Sequence, residues 1–427
     1  MKIGLHFQDS LEMMTYSIKE KVVLIIVSIF LSRFLSVYIA PYISSVNFSD
    51  ILLLLFLIIV SGKKNIVEWR RVFALVRNPG FLFFLFIFLF LFIVGLISYF
   101  DIKSSVGELR YHIYVLLSFI IVFKGIVKDK YKLLWIVVIT LIIDLLITID
   151  QRNFAENVLD PRVSFSPYII FVSLYMLALF KKTKLLLIMS FVGIGVSLYG
   201  GFRAGAVVAI VSLVLYLAII LFFDKSERFK NKIKVYLVIF VLFFLVFFVG
   251  EKIIEFITSD KVLNHYIINR TESFFTGLFD PSSRGVVFEQ DYGRLEPFLE
   301  IYRDPLYFSL PHGFGVWGAF EDGFGLNNST RMNTLDNGYF YIAFHYGLVM
   351  GIVMISLFLC SFIDSILREG NSYYRKIKFL SVLILLGLMA INAPLQGLGS
   401  SVFMGIYMAD LLKNSKIIKI LFRVKYL

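Results

Sequence analysis

The side chains that can move protons or hold anions are concentrated in one polar segment of an otherwise apolar chain. Residues 251–337 contain seven Lys or Arg, thirteen Asp or Glu and two His. Carboxylates and imidazoles can take a proton from a hydroxyl group, and guanidinium groups form paired hydrogen bonds to phosphate oxygens. A protein that only carries a solute across a bilayer has little use for such a segment. We therefore interpret it as one wall of an active site.

The candidate catalytic residues are Asp336, His312 and His345. Asp336 lies where the chain returns to an apolar stretch, and it could act on a hydroxyl proton or cap a helix. Asn337 could take the capping role beside it. His312 lies in a glycine-rich stretch, and His345 follows Asp336 by nine residues, so that Asp336 and His345 could share an inward face of one helix.

Four arginines are the candidate ligands of an anion. Arg203 lies between small residues at the end of an apolar stretch, where it could bind a phosphate or reach lipid headgroups. Arg294 lies near the start of a predicted amphipathic helix, whose free N–H groups favour anions, although a neighbouring glutamate could also pair with it. Arg284 and Arg303 are weaker candidates, because the acids of the segment could neutralise them.

Hydropathy predicts the elements that position these residues. Hydrophobic residues make up 59% of the 427, and 47 are Phe. A spanning helix needs roughly 20 apolar residues, and at this composition helices satisfy their own backbone in lipid. The pattern predicts an all-α polytopic membrane protein with about 12 transmembrane helices. We place them near residues 22–41, 45–62, 81–100, 113–127, 133–150, 167–180, 185–200, 204–223, 235–250, 338–361, 379–393 and 400–412.

The distribution of Lys and Arg predicts the orientation. Most of the 42 cations lie in alternate connectors, which the positive-inside rule assigns to the cytoplasm together with both termini. The short connectors on the other side carry only Lys103, Arg110, Arg152, Arg162 and Arg203. The net charge of +12 then reflects topology, and the scattered cations form no face for nucleic acid.

This topology divides the chain into three parts. Residues 1–250 form nine transmembrane helices, residues 251–337 form a large periplasmic loop, and residues 338–427 form three more helices and a cytoplasmic tail. The predicted location is a bacterial inner membrane, with the active site facing the periplasm. Within the loop, Asp304-Pro305 ends the amphipathic helix, and the glycines at 313, 315 and 318 allow sharp turns or close approach to a ligand.

Several kinds of site are not indicated by the sequence. The His, Cys and carboxylate residues lack the spacing of a zinc or iron site, and neither a nucleotide phosphate-binding loop nor a nucleophile turn is present. Cys360 is the sole cysteine. We keep a structural hydrogen-bonding role for His112 and His265. We expect no metal and no cofactor.

The order of several short motifs resembles one family. The motifs are Gly201-Phe-Arg-Ala-Gly205, Gly293-Arg294-Leu-Glu, Asp304-Pro-Leu-Tyr, Gly313-Phe-Gly, Asp336-Asn-Gly-Tyr-Phe and His345-Tyr-Gly-Leu-Val-Met-Gly351. Together, from about residue 190 to 352, they resemble the outer-loop signature of bacterial O-antigen polymerases and ligases. The resemblance implies a metal-independent membrane glycosyltransferase of the GT-C type, acting in lipopolysaccharide biosynthesis on an undecaprenyl-diphosphate-linked donor.

Carried over by position, the resemblance assigns roles to individual residues. Arg203 and Arg294 would hold the diphosphate. Asp336 stands where ligases carry a histidine, which favours a polymerase and leaves open which group activates the acceptor. The residues expected to contact the glycan are Asn337, Tyr339, Gly313 and Gly315.

Three functions follow from these observations. The first is a polymerase that moves a growing glycan from undecaprenyl diphosphate to the non-reducing end of a lipid-linked repeat unit. The second is a ligase that moves the glycan to lipid A core. A lipid-linked oligosaccharide flippase is a different class, and the large polar loop argues against it. The expected partners are undecaprenyl-diphosphate-linked oligosaccharides and membrane lipids, and a chain-length regulator could also bind.

Overall fold

The computed structural model describes residues 18–32, 34, 38, 78–99, 102–123, 130–154, 166–199, 203–223, 305–314, 338–389 and 398–422. Every regular element in these ranges is helical, as predicted for an all-α protein. The helices are α1 Ile18–Leu31, α2 Pro79–Tyr99, α3 Ile102–Phe123, α4 Lys130–Phe154, α5 Pro167–Leu179, α6 Thr183–Tyr199, α7 Arg203–Phe223, α8 Pro305–Ser309, α9 Gly338–Leu367, α10 Ser372–Met389, α11 Leu398–Leu412 and α12 Lys416–Leu421.

Four of these helices, within the described ranges, are long and apolar enough to cross a bilayer. They are Pro79–Ser98 of α2, Ser105–Phe123 of α3, Lys130–Gln151 of α4 and Tyr341–Leu367 of α9. Shorter apolar helices lie at Pro167–Leu179, Thr183–Tyr199, Ala204–Ile219 and Gly399–Leu412. The protein is therefore a helical, membrane-embedded protein. The spans predicted near residues 45–62 and 235–250 lie outside the described residues, as does most of the predicted loop.

Local sequence explains how the central helices form and pack. Pro167 opens α5 at a position where its missing N–H has no intrahelical partner to lose, and every residue of α5 is buried. Helix α11 packs closely on α3 at Gly405. A Cβ added there would lie 2.4 Å from the Val115 carbonyl oxygen and 1.9 Å from Ser118 Oγ. Small residues allow such close approach between membrane helices.

The bundle has two ends of different character. We call the end where α3 and α9 begin, and where residues 305–314 pack, the loop end. The opposite end, where α4 and α10 begin, we call the basic end, because Lys130, Lys132, Arg375, Lys376 and Lys378 are near it. This separation of cations agrees with the asymmetry from which the sequence predicts orientation.

Buried ion pairs stabilise the basic end. The Glu369 carboxylate accepts hydrogen bonds from Lys378 Nζ at 2.9 Å and Asn414 Nδ2 at 3.0 Å, and the Lys378 side chain is 0% exposed. Asp410 accepts from Tyr175 Oη at 2.7 Å and from Lys413 Nζ at 3.2 Å. These contacts tie α5, α10 and α11 to each other and to the turns beside them.

Several predicted boundaries are wrong; α10, for example, begins at Ser372 instead of near 379, and the largest difference is at the start of α3. Helix α3 begins at Ile102, eleven residues before the predicted start of that span at 113, so Arg110 lies inside a helix rather than in a short outer connector. The hydropathy pattern stops at the polar residues Glu108, Arg110 and His112. Two of these, Glu108 and His112, are buried in the bundle, where other protein groups surround them instead of lipid.

Candidate active site at the loop end

A short non-helical segment enters the bundle beside a break in α9. The break is at Gly347, whose φ of 73° and ψ of 156° are not helical. In the turn before it, the Phe344 carbonyl accepts a hydrogen bond from the His312 backbone N–H at 3.1 Å, and the His345 carbonyl accepts from Gly313 N–H at 3.2 Å. Non-helical backbone at membrane depth is tolerated where protein groups satisfy it, and the interrupted helix supplies these acceptors.

Three glycines make this insertion sterically allowed. A Cβ on Gly313, which has a φ of 76°, would lie 2.3 Å from both the Gly95 nitrogen and the Leu91 carbonyl oxygen. A Cβ on Gly95 would lie 1.6 Å from the Phe314 carbonyl oxygen, and one on Gly347 would lie 2.6 Å from the Ser309 carbonyl oxygen. Gly313 thus packs against the backbone of α2, and the predicted approach of this glycine to a ligand stays a prediction.

His345 is fixed by groups from two other elements. Its Nδ1 atom is 2.6 Å from the Gly313 carbonyl oxygen and 3.6 Å from Glu108 Oε2 of α3, and the side chain is 0% exposed. A carbonyl oxygen can only accept, so Nδ1 carries the hydrogen and the neutral ring keeps its lone pair on Nε2. Among the described residues, Nε2 has no hydrogen-bond partner. The imidazole is therefore held in one orientation, with Nε2 buried inside the bundle.

His112 is held in a similar way. Its Nδ1 donates to the backbone carbonyl of Glu108 at 2.9 Å, which again leaves the lone pair on Nε2. The ring is buried, with the Phe314 ring centroid at 4.4 Å and the Tyr341 ring stacked at 6.1 Å. Glu108 thus positions both histidines, one through its carboxylate and one through its backbone.

Two other predicted residues lie at the same end with different contacts. The half-buried His312 ring stacks on Phe344 with centroids 4.5 Å apart. Tyr339 Oη donates to the Leu386 carbonyl at 2.7 Å, which ties the start of α9 to the last turn of α10. The structure therefore brings His312, Gly313 and His345 together.

The remaining predicted site residues stay predictions. Arg203 is the first residue of α7, and its side chain is outside the described part of the structure. The others lie outside the described residues altogether, namely Asp336, Asn337, Gly315, Arg284, Arg294 and Arg303. The predicted shared helix face of Asp336 and His345 also stays a prediction, because Asp336 lies outside the described residues.

Sequence reasoning missed Glu108. The signal that could have found it is local, because Ser105, Glu108 and His112 recur at the spacing of one helical face. Ser105 Oγ donates to the Phe314 carbonyl at 3.1 Å, so all three residues of this face turn toward the inserted segment or the histidines.

Within the described ranges, no three His, Cys, Asp or Glu side chains are grouped closely enough to hold a metal ion. The chemistry available at the loop end is acceptance of a proton by an oriented imidazole with a carboxylate behind it. No protein-family model matches the chain, and no curated protein is similar enough to it to show a family.

Proposed function

We propose that this protein is a polysaccharide polymerase that acts at the periplasmic face of a bacterial inner membrane. In this proposal the chain has about 12 transmembrane helices, a large periplasmic loop at residues 251–337 and cytoplasmic termini. Its donor is a glycan on undecaprenyl diphosphate, and its acceptor is the non-reducing end of a lipid-linked repeat unit. The observation that carries the proposal is His345, whose Nδ1 is held by Gly313 and Glu108 while Nε2 has no hydrogen-bond partner among the described residues.

The reaction follows from this assignment. The acceptor hydroxyl oxygen attacks the anomeric carbon of the donor sugar, and the bond from that carbon to the diphosphate oxygen breaks. The bonding electron pair leaves with the diphosphate, and the hydroxyl proton passes to His345 Nε2. Glu108 stabilises the imidazolium that results, from 3.6 Å. Asp336 and His312 are the alternative proton acceptors.

Arg203 and Arg294 complete the proposed site by neutralising the leaving diphosphate. The inserted segment supports this part of the proposal indirectly. Residues 309–314 contact α2, α3 and α9 through backbone hydrogen bonds and glycine packing, so this part of the polar loop has a fixed attachment at the loop end of the bundle. A fixed attachment restricts the positions that the loop arginines can reach.

Reconstitution with defined acceptors tests the function. The purified full-length chain in liposomes is supplied with undecaprenyl-diphosphate-linked repeat units, and products are separated by gel electrophoresis and mass spectrometry. We expect a ladder of products that differ by one repeat unit. Transfer to lipid A core without such a ladder would instead identify a ligase, and transbilayer movement of the lipid-linked unit without bond formation would identify a flippase.

Substitution of His345 tests the proposed base. We expect His345→Gln to reduce the rate of chain extension by roughly 10²- to 10⁴-fold, the usual contribution of a general base, with the protein still eluting as a folded species. Glu108→Gln is expected to lower kcat by about tenfold with little change in KM, because Glu108 acts through His345. The matched control is His6→Gln, since His6 lies in the predicted cytoplasmic N-terminus.

Substitution of the arginines tests the diphosphate site separately. We expect Arg203→Ala and Arg294→Ala each to abolish polymer formation, because the leaving charge loses its counter-ion, while the protein still inserts in the membrane. Lys425→Ala, in the predicted cytoplasmic tail, is the control. Ladders of normal length from both arginine variants would refute this assignment.

A further inference from the structure

The short helix α12 connects two of the long apolar helices at the basic end. At its start, the Asp364 carboxylate of α9 accepts hydrogen bonds from the Lys416 backbone N–H and, at 3.1 Å, from Ser415 Oγ. Just past its end, the Phe422 carbonyl accepts a hydrogen bond from Asn78 Nδ2, and Asn78 directly precedes α2. Helix α12 is therefore held at both ends, and its orientation on the bundle is fixed.

These attachments place α12 at the level of the membrane surface. Asp364 lies three residues before the end of the candidate span Tyr341–Leu367, and Asn78 lies one residue before the span Pro79–Ser98. The ends of a spanning helix lie where the hydrocarbon core, about 30 Å thick, meets the lipid headgroups. Because α12 joins the ends of two spans on one side of the bundle, it lies at a membrane–water interface.

The fixed orientation separates the apolar side chains of this segment into two groups. Ile418 and Phe422 face the bundle and are 4% and 1% exposed. Ile417 and Ile420 face outward and are 37% and 74% exposed. At an interface, exposed aliphatic side chains on a short basic helix are buried at the boundary between headgroups and acyl chains.

The charges beside the two outward isoleucines are positive. Lys416 is exposed and Lys419 is half-buried. The carboxylate of Asp364 is paired with Arg368 Nε at 2.6 Å and with the start of α12, so it does not add a separate negative charge to this face. Cations next to apolar side chains match the phosphate and the upper acyl chain of an anionic lipid.

The outer face of α12 consists of Lys416, Ile417, Lys419 and Ile420. We propose that this face binds an anionic phospholipid, with the isoleucines among the upper acyl-chain carbons and the lysines at the headgroup phosphate. The contact fixes the basic end of the bundle at one membrane surface. This inference rests on the membrane-embedded fold and does not depend on the proposed transfer reaction.

Fluorescence quenching by brominated lipids tests the site in the full-length protein. Ile420→Cys is labelled with bimane in a Cys360→Ala background, and the protein is placed in liposomes of equal phosphatidylcholine and phosphatidylglycerol. Bromine is carried on the acyl chains of only one of the two lipids in each preparation. We expect both lipids to quench the label, with phosphatidylglycerol enriched about fivefold beside it, which is the contribution of one lysine near an anionic headgroup.

Matched variants separate the charge from the position of the label. Lys416→Gln with Lys419→Gln keeps the backbone contacts that hold α12, and we expect the two lipids then to quench equally. Lys184→Gln, the same kind of change at the start of α6, should retain the preference. A bimane label at Ile352→Cys, an exposed residue in the apolar middle of α9, should be quenched equally by both lipids.

Two results would overturn the proposal. Absence of quenching by either lipid at Ile420→Cys would show that α12 faces water or another protein. Equal quenching by the two lipids in the protein that retains Lys416 and Lys419 would show that the face does not select an anionic headgroup. Ile417→Cys provides a second label position on the same face, so both results can be checked without further lysine variants.

Discussion

The loop end and the basic end of the bundle differ in how their buried ionisable groups are paired. At the basic end each buried charge has a partner, as in the contact of Lys378 with Glu369 at 2.9 Å. At the loop end the Glu108 carboxylate is buried beside two imidazoles, and both His112 and His345 keep an Nε2 atom without a partner among the described residues. Buried polar atoms are normally paired, so each of these two ring nitrogens requires an explanation, as does Ser361 Oγ nearer the basic end.

The two ends also differ in the kind of atoms that make the closest contacts. Paired side-chain charges are buried at the basic end, where backbone also comes close at Gly80, whereas the loop end packs backbone on backbone at Gly95, Gly313 and Gly347. Backbone contact leaves little freedom for adjustment, because nothing there is the far end of a flexible side chain. We therefore expect stability to fall most when a substitution changes side-chain size at the loop end, or when it removes a charge at the basic end.

The largest stability effect is expected at the basic end. Glu369→Ala leaves the buried Lys378 ammonium without its carboxylate, and we expect a loss of about 3–5 kcal/mol in the free energy of unfolding. Unfolding of the purified protein in mixed micelles by denaturant measures it. The double variant Glu369→Leu with Lys378→Met removes both charges and should recover most of the loss. A loss equally large in the double variant would show that packing, and not charge pairing, stabilises this end.

An intermediate effect is expected from shape at the loop end. Gly95→Ala places a Cβ against the Phe314 carbonyl, so residues 310–314 must shift, at a cost of about 1–3 kcal/mol. Limited proteolysis near residue 310 and the same unfolding measurement would detect the shift. Gly195→Ala is the matched control, because a Cβ there meets no atom within 4 Å and helix propensity favours alanine. Equal stability of the two variants would contradict the close packing at Gly95.

The smallest effect is expected from an exposed ion pair at the basic end. Lys132 Nζ is 3.1 Å from Glu20 Oε1, and both side chains are more than a third exposed. We expect Lys132→Ala to change the unfolding free energy by only about 0–1 kcal/mol, since water and salt screen such a pair. A change as large as that of Glu369→Ala would mean that burial does not determine how much an ion pair contributes to the unfolding free energy.

Hydropathy predicted the helices that lie wholly in apolar sequence. Helix α2 is an example, since Pro79–Tyr99 contains no charged residue and its span was expected at 81–100. The same rule failed at α3, because Glu108, Arg110 and His112 interrupt the apolar pattern. Burial of Glu108 and His112 depends on residues far away in the sequence, which a local window does not contain.

The candidate site was predictable only in part, for a related reason. His312, Gly313 and His345 were selected by residue type and by neighbouring glycines. Glu108 was not, because its proximity to His345 depends on the break in α9 and on the inserted segment. The break itself is at Gly347, and the presence of a glycine in a sequence does not predict that its φ will be positive.

The break in α9 also constrains the order in which the protein matures. Helices α2 and α3 are synthesised well before residues 305–314, yet the Leu91 carbonyl and Ser105 Oγ find their partners on Phe314. The contacts of α2 and α3 with residues 305–314 can therefore form only after synthesis has reached the last third of the chain. A chain stopped ahead of that point would lack the segment that Leu91 and Ser105 bind, and this part of the bundle would stay incompletely packed.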